Sequence, residues 1–373
     1  MSKNVTEYFL ELIQIDSESR NERAMIDKLK IDLTEMGFQV QEDDCNTKTG
    51  GNAGNLYAYL PGKIDKKPLL FCAHADTVKP GIGINPIVTE SKITSDGKTI
   101  LGADDKSGVA EVIFGIKQIL DSGLNHTPIE VLFTVSEEIG LLGAKHFDKS
   151  ILKAEIGYAF DSENIGSYSI GAPSQNSIKI KVYGKEAHAG VEPEKGINAI
   201  RVASEAIASI PIGRIDFETT ANIGIIQGGI ATNIVPNLVE IYGETRSHNM
   251  DKLAQVTQDI VNTFEKTAAK HKLNGIEAKV EIAVNTEYKS FYMSEDHLVV
   301  QIAKKANEKL NLASRFDKGG GGSDANIINA EGVAMIVAGT GMHGYHTVNE
   351  YIETADLKKG SQLVAELIKI YSE

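Results

Sequence analysis

Three stretches of the sequence are apolar on both faces of an extended chain, and they constrain the fold more than any other feature. These stretches are Leu69 to Ala73, Ile129 to Val135 and Val333 to Ala338. Strands that are apolar on both faces are typical of a mainly parallel sheet covered by helices. A helical pattern from Lys106 to Leu120 lies between the first two stretches. The sequence therefore predicts an α/β domain with a mainly parallel, mixed sheet and flanking helices.

The pattern changes after about Gly171, where the strands become polar on one face. Between residues 177 and 182, serine and lysine alternate with isoleucine and valine. The segment continues in the order β-α-β-β-α-β, which is the plan of a ferredoxin-like sandwich. The first pattern resumes near Phe291. We therefore predict one α/β domain, formed by residues 1–174 and 291–373, interrupted by an α+β domain at residues 175–290.

The charge and cysteine content exclude several classes of protein. Among 373 residues, 38 Lys and Arg face 51 Asp and Glu, and a net charge of −13 would repel nucleic acid. The two cysteines, Cys45 and Cys72, suit a reducing compartment. The N-terminal residues do not have the pattern of a signal peptide, and no apolar run approaches the roughly 20 residues needed to cross a bilayer. We expect a soluble cytoplasmic protein with neither nucleic-acid nor membrane partners.

Acids and histidines follow the predicted strands. Each has an ordinary explanation when taken alone, such as a helix-start charge for Asp104 or, with Ser136 as N-cap, for Glu137. Together they matter more, because the carboxyl ends of strands in an open α/β sheet meet at one edge, where ligands bind. The motifs are HADTV (His74, Asp76), GADDKSG (Asp104, Asp105), SEEIG (Glu137, Glu138), FDSE (Asp161) and MHGYHTVNE (His343, His346, Glu350).

Two imidazoles and three carboxylates among these residues suit a pair of borderline divalent ions such as zinc. Three carboxylates and a bridging hydroxide would bring two such ions close to electrical neutrality, so a mostly buried site is tolerable. One carboxylate must bridge to hold the ions roughly 3.5–4 Å apart. Asp76 could fix the tautomer of His74. Of the neighbours Glu137 and Glu138, one could bind metal while the other serves as general base.

This ordered set of motifs resembles the di-zinc metallopeptidase family that includes aminoacylase, glutamate carboxypeptidases and peptidase T. The match covers nearly the whole chain, and GADDKSG with SEEIGLLGAK and FDSE is most similar to the peptidase T branch of aminotripeptidases. The resemblance implies a zinc exopeptidase-like fold in which the inserted domain is a lid. It also implies a short peptide as substrate. Family members often form homodimers through the inserted domain.

The resemblance also implies a set of metal ligands. His74 and Asp161 would complete one zinc site, and Glu138 and His346 the other. Asp104 would bridge the two ions, with a cis peptide bond after it. The metal would be zinc, with cobalt or manganese as alternatives that the sequence does not distinguish.

The catalytic roles follow from the same resemblance. Glu137 would be the general base that deprotonates a metal-bridging water and later protonates the leaving amine, while Asp76 would orient His74. In the inserted domain, His188 of GKEAHAG would stabilise the oxyanion. Asn233 and Arg246 match substrate-binding positions, and a guanidinium can hold a peptide carboxylate through two hydrogen bonds.

The glycine run KGGGGSDAN lacks the pattern of a phosphate-binding loop. In relatives a similar segment lines the substrate pocket, so Gly320 and Ser323 are further candidates for substrate contact. His343 has no clear role in the family and is interpreted as a loop or supporting residue.

These features predict a zinc-dependent exopeptidase that releases the N-terminal residue of short peptides. The alternatives within enzymes are a carboxypeptidase or an N-acyl amino acid deacylase on the same scaffold. An alternative of another class is a non-catalytic metal-binding scaffold. The intact Glu137 argues against that scaffold, because an inactive relative has no physical need of an unliganded acid beside the metals.

Overall fold

The computed structural model describes residues 3–373, which form two compact units. Unit 1 comprises residues 3–171 and 292–373, and unit 2 comprises residues 172–291. Each unit has its own hydrophobic core, since apolar side chains of each pack into a separate cluster. Within residues 3–373, no helix combines the length and the apolar character needed to cross a membrane.

Helices and strands follow one another along the chain in three blocks. The first block contains α1 (Val5–Ile13), α2 (Arg23–Glu35), β1 (Gln39–Glu42), α3 (Asn46–Thr49), β2 (Leu56–Leu60), β3 (Leu69–His74), β4 (Pro86–Val88), β5 (Lys92–Ser95), α4 (Ala103–Ser122), β6 (Ile129–Thr134), α5 (Leu142–His146), β7 (Ile156–Phe160) and β8 (Ser167–Ala172). The second contains β9 (Ser174–Tyr183), α6 (Ala199–Ala208), β10 (Gly213–Arg214), β11 (Thr219–Gly228), β12 (Leu238–Ser247), α7 (Met250–Lys270), β13 (Lys272–Leu273), β14 (Ile276–Glu277) and β15 (Lys279–Tyr288). The third contains β16 (Phe291–Tyr292), α8 (Leu298–Leu310), β17 (Arg315–Lys318), α9 (Asp324–Ala330), β18 (Ala334–Ala338), β19 (Met342–His343), β20 (Tyr351–Glu353) and α10 (Thr354–Ser372).

The main sheet of unit 1 has the strand order β1-β2-β6-β3-β7-β18-β8-β16, and β17 pairs with β8. The central pairs β6–β3, β3–β7 and β7–β18 are parallel, whereas β1, β2 and β8 pair antiparallel to their neighbours β2, β6 and β18. The predicted α/β architecture with a mixed sheet and flanking helices is therefore confirmed.

The central strands are buried along their whole length, as their apolar sequences require. Every residue of β3 and β6 is buried, and helix α4 packs on β3 and against α1 and α10. Among the largest fully buried side chains are Tyr8, Phe71, Phe133 and Phe160. This core fixes the carboxyl ends of the parallel strands, where the predicted functional motifs begin.

Unit 2 contains an antiparallel sheet with the order β10-β11-β12-β9-β15. Its four long strands and two helices follow the β-α-β-β-α-β plan predicted from the sequence. Inward-facing side chains such as Ile180 and Ile241 pack with Phe264 of α7, while the lysines at 179 and 181 stay more exposed. The alternation of polar and apolar residues thus corresponds to a sheet covered on one face.

Candidate metal centre

His74 is the last residue of β3, and its ring is buried at the carboxyl edge of the main sheet. Its Nε2 atom lies 3.0 Å from Oδ1 of Asp104 and 3.9 Å from Oδ1 of Asp161. Its Nδ1 atom lies 3.0 Å from the backbone oxygen of Asp76. An imidazole that donates its Nδ1 proton to a carbonyl presents an unprotonated Nε2, which is the form that binds metals. His74 therefore has the surroundings of a metal ligand whose tautomer is fixed by its neighbour.

Asp104 lies between two histidines at the start of α4. Its Oδ1 atom is 3.0 Å from Nε2 of His74, and its Oδ2 atom is 3.0 Å from Nε2 of His346. The peptide bond between Asp104 and Asp105 is cis, in agreement with the expectation from the resemblance. Because each oxygen of Asp104 faces a different imidazole, this carboxylate is placed to bridge two cations.

Asp105 sits beside the same cluster but is engaged with the backbone. Its Oδ2 atom accepts the N–H of His74 at 3.1 Å, and its Oδ1 atom accepts the N–H of Gly108 at 3.2 Å. Its ligand atoms also lie within 4.8 Å of those of His74 and Asp161. With both oxygens committed to N–H donors, Asp105 is better suited to holding His74 in place than to binding metal.

Glu137 and Glu138 follow β6 in a turn. Ser136 has a φ of 53°, and the next helix, α5, begins only at Leu142. The interpretation of the two glutamates as helix-start charges, with Ser136 as N-cap, is therefore wrong. The backbone is left-handed at Ser136, before the acidic pair, and again at Leu141, between the pair and α5, so the pair lies in a turn ahead of the helix.

The carboxylate of Asp76 anchors this turn. It accepts the backbone N–H of Glu137 at 2.9 Å and of Glu138 at 3.3 Å, and it also accepts the hydroxyl of Ser19. Its Oδ1 atom is 3.5 Å from Nδ1 of His74, farther than the backbone oxygen of the same residue. Asp76 thus contacts the His74 ring most closely through its backbone oxygen, while its carboxylate lies 3.5 Å from the ring and fixes the glutamate turn.

The remaining predicted ligands complete the cluster. Glu138 contacts Nε2 of His346 at 3.0 Å, and His346 has a φ of 61° in the loop between β19 and β20. Asp161 directly follows β7, and its backbone N–H donates to Ala338 of the parallel neighbour β18. The structure therefore brings together the five residues expected to hold metal: His74, Asp104, Glu138, Asp161 and His346. In residues 3–373, Glu137 belongs to neither of the two groups whose ligand atoms lie close enough to hold an ion.

Acidic side chains outnumber the imidazoles at the centre, and both kinds of group have shifted pKa values. Burial raises the pKa of Glu137 and of Asp161 well above ordinary carboxyl values, and neighbouring acids raise both further. Hydrogen bonds to Asp104 and Glu138 raise the pKa of His346 to about 10. Burial alone would lower the pKa of His74, but its hydrogen bonds to Asp104 and Asp76 raise it well above the ordinary value.

These pKa shifts have a common cause, which is that buried carboxylates crowd together and draw protons to the two imidazoles. Two divalent cations would offset the three ligand carboxylates and replace the protons that the imidazoles otherwise hold. Imidazole nitrogen and carboxylate oxygen are donors that zinc accepts. The residues present therefore fit a dinuclear metal centre.

Three buried acids around the centre have no role that the sequence predicts. Glu22 accepts both the backbone N–H and the hydroxyl of Ser136 at 3.0 Å. Asp324 accepts the hydroxyl of Thr134, at the end of β6. Glu350 accepts three backbone N–H groups at the start of α4. Glu350 and Asp324 lie in segments that the sequence singled out, whereas no local pattern links Glu22 to a turn 114 residues away.

The predicted substrate residues His188 and Asn233 lie next to each other in unit 2. Their segments are joined by an antiparallel bridge between His188 and Ile234, and the N–H of Ala189 donates to the backbone oxygen of Asn233 at 2.9 Å. Both side chains are exposed. The structure therefore places these two residues at one exposed position of unit 2.

Arg246 lies on β12 with its guanidinium held by a carboxylate two residues away. Its Nε and Nη2 atoms donate to the two oxygens of Glu244 at 2.8 and 3.1 Å. Gln175 of the neighbouring strand donates to the same carboxylate at 2.9 Å. This network fixes the direction of the guanidinium on the open face of the sheet.

The glycine run and His343 have different surroundings. Gly320 lies in the loop between β17 and α9, with open space where a side chain would be, and Ser323 is buried at the N-cap of α9. His343 belongs to β19, in the small sheet β19-β20-β5-β4, and its ring packs on Tyr351 at 5.0 Å. His343 thus lies in a short strand, and its interpretation as a supporting residue stays a prediction.

Comparisons with known proteins agree with the site. A model of Peptidase family M20/M25/M40 matches residues 70–370. An aminopeptidase PepT from Bacillus cereus is 40% identical, with a TM-score of 0.90 over 99% of this chain and 98% of that chain. A tripeptidase from Staphylococcus aureus is 37% identical, with a TM-score of 0.94 over the same shares of both chains. The uncharacterized protein YqjE from Bacillus subtilis is 42% identical over 98% of each chain.

The match to the family model covers most of the sequence and includes the segments that carry the five clustered residues. The two solved relatives share the fold along nearly their whole length. The family predicted from the motifs is therefore confirmed, and the chain belongs to Peptidase family M20/M25/M40.

Proposed function

We propose that this chain is a di-zinc aminopeptidase that removes the N-terminal residue from short peptides, with tripeptides as its preferred substrates. Family membership makes it a metal-dependent peptidase, and the proposal adds the metal and the substrate class. The observation that carries the proposal is the position of Asp104, whose two oxygens each lie 3.0 Å from a different histidine nitrogen. The names of the two solved relatives, an aminopeptidase and a tripeptidase, support the substrate class.

In this proposal His74 and Asp161 would hold one ion, Glu138 and His346 would hold the other, and the carboxylate of Asp104 would be shared between them. The chemistry that the ions supply when bound is Lewis acidity, which activates a carbonyl group and lowers the pKa of water. Glu137 takes the proton of the attacking water and delivers it to the nitrogen of the leaving amine. The carboxylate of Asp76 supports this role, because it accepts the backbone N–H groups of both Glu137 and Glu138 and so fixes the two glutamates together.

We further assign substrate contacts to unit 2 and to the glycine run. His188 donates to the oxygen that becomes negative in the transition state, and Asn233, next to it, contacts the substrate backbone. Arg246 binds the peptide carboxylate through its guanidinium group, which Glu244 holds in position. Gly320 and Ser323 line the substrate pocket.

The cellular setting stays as predicted from the sequence. We propose a cytoplasmic enzyme that acts on free peptides and assembles as a homodimer through the inserted domain. The two cysteines, Cys45 and Cys72, are both buried and unpaired by disulfide, which is compatible with a reducing compartment.

A substrate panel tests the activity. Purified chain loaded with Zn²⁺ is incubated with tripeptides, dipeptides, acetylated amino acids and tripeptides with an amidated C-terminus, and products are identified by mass. We expect release of the N-terminal residue from free tripeptides and a higher KM for the amidated form, because the amide removes the charge that Arg246 binds. Release of the C-terminal residue would support a carboxypeptidase, and cleavage confined to acetylated amino acids would support a deacylase. Either result contradicts the proposal.

A further inference from the structure

Glu350 is a buried acid whose carboxylate is surrounded by backbone donors. It lies directly before β20 and is 1% exposed. Its Oε2 atom accepts the N–H groups of Leu101 and Gly102, both at 2.7 Å, and its Oε1 atom accepts the N–H of Asp104 at 2.9 Å. Charge-assisted hydrogen bonds of this kind are among the stronger ones in proteins.

The segment that Glu350 holds is the one that presents Asp104. Gly102 has a φ of 75°, and the backbone of Asp104 departs from helical values although it stands at the start of α4. Three backbone donors within four residues therefore converge on one carboxylate, and they do so through an irregular backbone. The position of the Asp104 side chain depends on this local conformation.

Glu350 also belongs to the loop that presents His346, four residues earlier. The same loop thus contributes one expected ligand and clamps the backbone of another, whose carboxylate lies 3.0 Å from that ligand. A bridging ligand needs accurate placement, because each of its oxygens must meet a different ion. A shift of residues 101–104 would move both oxygens of Asp104 together.

We propose that Glu350 is a positioning residue, which fixes the bridging carboxylate of Asp104 and thereby sets the affinity of the centre for its two ions. This inference rests on the proposed function, since it requires a dinuclear centre. A positioning role differs from a general stabilising role in what a substitution of Glu350 changes. The substitution should weaken metal binding and not only lower the folding stability.

The chain offers a matched control in Glu130, at the beginning of β6. This carboxylate is also fully buried, and it accepts the N–H groups of Lys153 and Ala154 and the hydroxyl of Tyr57. It holds a loop through the same chemistry but lies near the start of the strand, away from the carboxyl edge that carries the metal centre. Comparing Glu350→Gln with Glu130→Gln therefore distinguishes the effect of losing a buried carboxylate that holds a loop from the effect of displacing a metal ligand.

The test measures zinc binding and thermal unfolding of the wild type and both variants. Each protein is stripped with a chelator, its metal-free unfolding temperature is recorded, and Zn²⁺ is titrated back by calorimetry with bound zinc counted after dialysis. We expect Glu350→Gln to bind at least one ion about 10–100-fold more weakly, the usual range when a residue behind a metal ligand is changed. Glu130→Gln should lower the metal-free unfolding temperature while keeping the zinc affinity of the wild type.

Wild-type zinc affinity in Glu350→Gln would overturn the inference, and so would an equal loss of affinity in Glu130→Gln. If Glu350→Gln does not fold, the same titration on Glu350→Asp decides, since that variant keeps the charge but shortens its reach and should also bind zinc more weakly. A wild type that binds two ions but cleaves no peptide contradicts the proposed function and leaves the positioning role supported or refuted by the titration alone.

Discussion

At the scale of single residues, the two neighbouring glutamates after β6 have different surroundings and different proposed roles. Glu138 contacts His346 at 3.0 Å, while Glu137 is the more buried of the two and belongs to neither ligand group among residues 3–373. We expect Glu137→Ala to retain its metal and to lose turnover by about 10²–10⁴-fold, the usual contribution of a general base. Glu138→Ala is the matched control and should lose metal. Metal content by elemental analysis and kcat on a tripeptide check both, and near-normal turnover in Glu137→Ala would remove it from this role.

His188 provides a second residue-scale prediction, in unit 2. We expect His188→Ala to lower kcat by about 10²–10³-fold with unchanged zinc content, because a donor to the oxyanion acts mainly in the transition state. The control is His271→Ala, which removes another unit 2 histidine, hydrogen-bonded to Glu205. Steady-state kinetics and metal analysis of both variants decide. Loss of zinc in His188→Ala would show that its role is misassigned.

The candidate site could be predicted only where a motif carries the chemistry close together in sequence. Two pairs of residues, His74 with Asp76 and Glu137 with Glu138, lie close together in sequence at the ends of strands that are apolar on both faces. The sequence therefore predicts both their chemistry and their location. The contact of Glu22 with the same turn could not be predicted, because Glu22 bonds to Ser136 across 114 residues. A hydrogen bond between distant residues leaves no periodicity in the sequence, and only the packed fold brings its two ends together.

At the scale of secondary structure, helices α4 and α10 enclose a carboxyl group without a hydrogen-bond partner. Both oxygens of Glu111 on α4 are buried and unpaired within residues 3–373, and the group lies against Gly360 of α10, where a Cβ atom would come within 2.0 Å of it. Burial raises the pKa of Glu111 well above 4.5, and the charges of Asp105 and Asp356 raise it further. Burial without a hydrogen-bond partner therefore favours the neutral form of this carboxyl group in the folded protein.

A pH dependence of stability follows from Glu111. Because the pKa of Glu111 is higher in the folded than in the unfolded chain, its contribution to the free energy of unfolding is complete below the unfolded pKa near 4.5. That contribution is progressively lost as the pH rises toward the folded pKa, because the unfolded chain releases its proton first. We expect Glu111→Gln, which cannot ionise, to gain stability relative to the wild type between about pH 5 and pH 8. Urea unfolding at both pH values measures this difference. The exposed Glu308→Gln should show no such trend, and an equally flat trend in Glu111→Gln would contradict the prediction.

Long elements could be predicted from the sequence more fully than short ones. Strand β6 lies within one residue of its predicted range, since an uninterrupted apolar run is stable only inside a covered sheet. The small sheet β19-β20-β5-β4 was not foreseen, because its strands are two to four residues long and β20 pairs with β5 from the opposite end of the sequence. Helix α9 was also missed, as its seven residues are too few to show a helical period.

At the scale of the whole molecule, metal binding should be visible in thermal stability. The cluster that carries the expected ligands joins β3, α4, β6, β7 and the loop before β20, so ions bound there stabilise the folded state against an unfolded chain that cannot assemble them. We expect Zn²⁺ at a hundredfold excess over the Kd of a site to raise the free energy of unfolding by about 3 kcal/mol for each site that it fills. Calorimetric unfolding with and without a chelator measures the gain, and equal unfolding temperatures would contradict it.

The separation of the two imidazoles along the chain determines how much of the polypeptide must be made before both are present. His74 is made early, but its partner at position 346 is added only after the rest of the sheet and the whole of unit 2 have been synthesised. In the proposed centre, a polypeptide that ends before position 346 therefore lacks a ligand of the second ion. Activity through this centre requires a polypeptide that extends past that position.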